Sequence, residues 1–151
     1  MGSFSIEVRT TNRLMKERPD LARRVCDPKG DVLIVEDEPL ILIELQHTLS
    51  ELGWVVTHFA SDIDKAIDIA QTERFDIAIL DVNVKGRTSF AVAEVLRNRN
   101  VPVVLATGYS TEIIIENYPG AIFLQKPYLK AELAEAIAKA LAVKTQIQKR
   151  A

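Results

Sequence analysis

The chain has 151 residues, of which 48% are hydrophobic and 26% charged, with a formal net charge of −2. Those values fit one globular domain with its own core, and they supply no bulk charge that would draw nucleic acid or an acidic membrane. A lone Cys26 excludes an internal disulfide, and no apolar run approaches the ~18 residues of a membrane span. With no signal-peptide pattern either, the expectation is a cytoplasmic protein with no membrane or nucleic-acid partner.

Residues 1–30 differ in charge from the rest. They carry seven basic and four acidic side chains, a net of +3, which leaves −5 for the remainder. Phe4, Ile6 and Val8 alternate in "FSIEV", while Leu14, Leu21 and Val25 could line a short helix interrupted by Pro19. This segment reads as an extension, either a tail or a docking or dimerisation arm.

From residue 31 the punctuation becomes regular. "DVLIVED" is an apolar run bounded by charge, as expected for a strand covered on both faces. In "PLILIELQHTLSELG" the apolar residues recur at helical spacing, with Pro39 suited to the first turn and Gly53 to the stop. "WVVTHF" reads as a second strand. Ser61 and Asp64 then have the spacing of a capping box, for a helix that turns Ile63, Ala66, Ile67 and Ala70 inward.

"FDIAIL" gives a third strand and "TSFAVAEVLRN" a third helix. "VPVVLAT" and "AIFLQ" are the fourth and fifth strands, separated by the short segment "STEIIIENYPG". Its three consecutive Ile residues cannot all face one side, so the fourth helix should be irregular or expose one of them to a partner. "YLKAELAEAIAKALAV" closes the domain with a stripe of Leu129, Leu133, Ile137 and Leu141. Strands that alternate with helices predict a parallel α/β sheet with helices on both faces. The domain should span 31–143, with 144–151 as a C-terminal tail.

In such sheets ligands bind outside the carboxyl ends of the strands. Glu36 and Asp37 end the first strand, Asp81 the third, Thr107 the fourth and Lys126 the fifth. One polar residue at a strand end needs no special cause, but these five would meet at one edge. Three carboxylates together repel one another unless a cation is present. Mg²⁺ suits oxygen ligands of this kind, whereas the two histidines, His47 and His58, fall elsewhere and leave no zinc cluster. An aspartate beside a metal, a Lys and a Thr suits phosphoryl chemistry with Asp81 as nucleophile.

The motifs "VLIVEDE", "AILDVNVKG", "VVLATGYS" and "LQKPY", in this order, resemble the receiver domain of two-component response regulators, over roughly residues 31–143. The resemblance implies a flavodoxin-like five-stranded sheet of order 2-1-3-4-5. It implies that Asp81 accepts a phosphoryl group from a histidine kinase or a histidine phosphotransfer protein. Asp37 and Asp81 would bind Mg²⁺ directly, Glu36 would assist through water, and the Asn83 backbone carbonyl would complete the protein ligands. Mn²⁺ is expected to substitute.

Lys126 and Thr107 would contact the phosphoryl group, and Thr107 with Phe123 would form the switch read by a downstream protein. The Lys126–Pro127 bond is expected to be cis. "LATGYS" is similar to a subgroup with Phe-Ala-Thr-Gly after the fourth strand, although Leu105 and Ser110 depart from it. The resemblance points to a stand-alone signalling receiver, monomeric or weakly dimeric. It would not be an enzyme beyond its own phosphorylation and dephosphorylation. Two alternatives stand beside it: a phosphate-independent interaction scaffold, and a haloacid-dehalogenase-type phosphohydrolase. Asn83 counts against the latter, because those hydrolases carry an acidic residue there.

Overall fold

The computed structural model describes residues 27–150, apart from the side chains at 113, 114 and 117. The expected elements at Phe4–Val8 and Leu14–Val25 lie outside the described residues. The order is β1 (Asp31–Val35), α1 (Pro39–Glu51), β2 (Val55–Ala60), α2 (Ile63–Thr72), β3 (Ile77–Asp81), β4 (Asn83–Val84), β5 (Arg87–Thr88), α3 (Phe90–Asn98), β6 (Val103–Thr107), α4 (Glu112–Asn117), β7 (Ile122–Gln125) and α5 (Lys130–Arg150). Five strands form one parallel sheet in the order β2-β1-β3-β6-β7, while β4 and β5 make a separate antiparallel hairpin. The long strands thus follow the expected 2-1-3-4-5 order, and the hairpin is an addition to it.

The apolar strands are continuous because each is covered twice. Leu33 and Val35 of β1, Ala78 and Leu80 of β3 and Leu105 of β6 pack with α2 and α3. Val32, Ile34, Ile77, Ile79 and Val104 take the opposite face, with α1 and α5. Successive side chains alternate faces along a strand, so each neighbouring pair divides between the two layers. The central strands are therefore fixed on both sides, and their carboxyl ends form a rigid edge.

Three local expectations are corrected. The α2 cap is Asp62, whose side chain accepts the Lys65 N–H at 2.8 Å, so the Ser61–Asp64 capping box does not form. Leu129 is 71% exposed and does not join the stripe of α5, while Leu133 and Ile137 are buried and Leu141 partly so. Leu129 precedes the helix, and its N–H donates to the Glu132 carboxylate at 2.7 Å, an arrangement that belongs to a helix start. Finally, α5 does not stop at Val143 but continues to Arg150.

The fourth helix is short, at six residues, and its Ile115 is half exposed. Among the described residues, no helix is long and apolar enough to cross a membrane.

Candidate functional site

The sheet brings four of the expected residues into one cluster at its carboxyl edge. Glu36 and Asp37 follow β1, Asp81 closes β3, and Lys126 follows β7. Glu36, Asp37 and Asp81 each offer a carboxylate oxygen, and these atoms lie within 4.8 Å of one another. Lys126 joins two of them: its Nζ donates to Glu36 Oε2 at 3.0 Å and to Asp81 Oδ2 at 3.1 Å. Pro127 lacks an N–H and holds the chain away from helical geometry at Lys126, across a bond that is cis.

Burial sets the electrostatics. Glu36 is only 3% exposed. That burial pushes its carboxyl above the usual range; the Glu38 N–H and the Lys126 ammonium oppose the rise, and the Asp81 charge adds to it. Burial alone would lower Lys126, but the Glu36 hydrogen bond and the Asp81 charge outweigh it, and the net shift is upward. The asymmetry has a simple origin. Lys126 faces two carboxylates, whereas Glu36 faces one ammonium and a like charge.

Three carboxyl groups share one ammonium in a pocket that is partly closed to water. The donors are all oxygens, and among the described residues no Cys or His joins the cluster. Both features fit a hard divalent cation.

Thr107 ends β6 next to Asp81, whose register partner on that strand is Ala106. It is 1% exposed, its Oγ1 accepts the Tyr109 N–H at 3.0 Å, and its carbonyl accepts the Lys126 N–H at 2.7 Å. Its hydroxyl proton remains available for donation. Phe123 pairs with Leu105 across β6 and β7, so strand alternation puts it on the same face as Thr107, one diagonal step away. It is partly buried, against the α2 and α3 layer. Asn83 is exposed and lies two residues past Asp81, where its N–H donates to Asp81 Oδ1 at 3.3 Å.

Two contacts were not expected from the sequence. The Gln125 side chain donates to the Tyr109 carbonyl at 3.4 Å, tying the turn after β6 to β7. The Lys85 backbone N–H donates to Asp37 Oδ2 at 3.0 Å. The glycine in "VKG" signals the tight turn that presents this donor, although the contact itself leaves no mark in the sequence.

A doubly wound sheet with an acidic cluster and a lysine at its carboxyl edge defines a class of α/β domains with an oxygen-donor site suited to a hard cation. Within that class, residues 32–138 match the response regulator receiver domain, and the chain belongs to this family. It is 33% identical over 110 residues to the transcriptional regulatory protein PdtaR of Mycobacterium tuberculosis, a match covering 70% of this chain and 54% of that protein. It is 31% identical over 120 residues to the phyllosphere-induced regulator PhyR of Methylorubrum extorquens, covering 77% of this chain and 45% of that one. The chain therefore spans about half the length of these curated relatives. Among solved structures, SdrG from Sphingomonas melonis Fr1 is 37% identical with a TM-score of 0.66, covering 74% of this chain and 95% of that one.

Proposed function

We propose that this receiver domain accepts a phosphoryl group on Asp81, and that the modified domain signals through protein contacts. The observation that carries the reading is the joining of Glu36 and Asp81 by Lys126, inside a cluster of three carboxylates. A carboxylate oxygen of Asp81 attacks the phosphorus of a phosphohistidine on a histidine kinase or phosphotransfer protein. The P–N bond breaks, its electron pair stays on the imidazole nitrogen, and the new O–P bond makes an acyl phosphate.

Asp37 and Asp81 would hold a divalent cation, with Glu36 through water and with the backbone carbonyl of Asn83. Mg²⁺ fits this donor set, with Mn²⁺ as a substitute, and when bound it would offset negative charge on the phosphoryl oxygens. Lys126 already reaches Asp81 and stays within range of an oxygen attached there. Thr107 contributes the hydroxyl proton that the Tyr109 N–H leaves free to donate.

Transmission would start at that hydroxyl. A Thr107 side chain that turns toward a phosphoryl oxygen changes the space available to Phe123 on the same face. Partial burial of Phe123 supports this, because a ring with an open side can change rotamer without opening the core. The half-exposed Ile115 and the exposed Tyr109 lie on the segment between Thr107 and Phe123, and they offer a surface that a downstream protein could read.

Intact-mass measurement after incubation with a small phosphodonor and Mg²⁺ tests the reading. The wild type should gain one phosphoryl group only when metal is present, and Asp81→Asn should gain none. A wild type that binds Mg²⁺ yet never gains the group would favour the phosphate-independent scaffold.

A further inference from the structure

The β4–β5 hairpin has no place in the five-stranded sheet, yet it reaches the acidic cluster. Asn83 pairs with Thr88 and Val84 with Arg87, which leaves Lys85 and Gly86 as a two-residue turn. Both residues have positive φ, 50° and 77°. That is the backbone of a type I′ turn, in which the second position favours glycine.

The hairpin is anchored by Val84, which is fully buried. Arg87 Nη1 also lies 3.1 Å from Asp64 Oδ2 in the first turn of α2, an exposed pair that adds little. With the turn fixed, the Lys85 N–H meets Asp37 Oδ2 at 3.0 Å, across 48 residues of sequence. Asp37 otherwise sits on the free loop between β1 and α1.

We infer that the Lys85–Gly86 turn is a positioning element of the metal site: its backbone N–H, not the Lys85 side chain, orients Asp37 toward Glu36 and Asp81. This rests on the metal-binding reading above and extends it to residues outside the carboxylate set. A carboxylate with one oxygen held by a fixed donor presents the other in a defined direction. It enters coordination with little left to order, and a preorganised ligand gains affinity by that means. The Lys85 side chain is exposed and takes no part in that contact, and a positive charge on the turn acts in the opposite sense by repelling a cation.

The two contributions separate by substitution. Lys85→Ala keeps the N–H and removes the charge, so Mg²⁺ affinity measured by calorimetry should hold or rise. Gly86→Val places a β-branched residue at φ 77° and should weaken Mg²⁺ binding roughly tenfold, the lower end of the range found when an outer partner of a metal ligand is lost. Gly86→Ala should fall between. An alanine Cβ there meets nothing within 4 Å, so backbone strain is the only cause of its effect.

A metal-free arm keeps this test separate from the function itself. The Lys85 amide should exchange slowly with solvent in the wild type, and quickly in Asp37→Ala and Gly86→Val, with the fold confirmed by the remaining amide signals. Fast exchange in the wild type would overturn the inference, whether or not the protein binds Mg²⁺. So would unchanged affinity in Gly86→Val, or a Lys85→Ala variant as weak as Gly86→Val. A wild type that shows a protected Lys85 amide but no Mg²⁺ binding would leave the turn intact as an Asp37 brace and remove the metal reading instead.

Discussion

Lys126 carries two relationships at once: it balances buried Glu36, and it contacts the aspartate proposed to react. Removing it leaves Glu36 in a site where burial already disfavours its charge. In metal-free protein at neutral pH, Lys126→Met should therefore lose about 2 kcal/mol of stability in urea melts, below the full cost for wholly buried pairs because Lys126 is partly exposed. Adding Glu36→Gln should restore most of the loss. The sign of the pH dependence follows from the upward shift of Lys126. Its contribution is complete below the usual lysine value of 10.5 and is lost as pH rises through the folded-state value. The difference between wild type and Lys126→Met should accordingly shrink in alkali.

At the scale of elements, every strand of the main sheet and every helix was legible, and only the two-residue strands were not. Pro39 and the apolar spacing behind it placed α1, and the double-sided apolar runs placed β1, β3 and β6, because burial on both faces leaves a strong pattern. The hairpin at 83–88 was missed because two-residue strands are too short to show alternation. The α2 cap was misassigned by one residue, since Ser61 and Asp62 are both good capping residues and only the turn geometry chooses between them. Thermal melts separate them. Asp62→Ala should cost about 1 kcal/mol, whereas Ser61→Ala should stay within about 0.5 kcal/mol of wild type. The residues of the site were legible for a different reason: a strand end is where an apolar run stops, and the sheet topology brings those ends together. The Lys85 N–H on Asp37 was not, because backbone donors leave no side-chain signature.

For the molecule as a whole, both layers of the core are closed while the rim beside the site stays apolar. Leu40 is 81% exposed and Ile43 61%, three residues apart on the outer face of α1, just after the Glu36–Asp37 loop. Nothing in the fold requires them to face water. A protein that presents a phosphohistidine to Asp81 would have to approach this rim. A Leu40→Asp, Ile43→Asp double variant should retain phosphorylation by a small donor. It should slow at least tenfold with any phosphorylated histidine phosphotransfer protein that labels the wild type; equal slowing with both donors would place the defect in the site instead.

The location of the proposed acyl phosphate is the decisive quantity, and it can be read in the unmodified sequence. Borohydride reduces an acyl phosphate to an alcohol, so phosphorylated aspartate becomes homoserine and peptide mass spectrometry reports its position. After treatment with a small phosphodonor and Mg²⁺, the expected result is homoserine at residue 81 and at no other aspartate. Conversion at Asp37, or phosphoryl gain without any reducible aspartate, would contradict the assignment of Asp81.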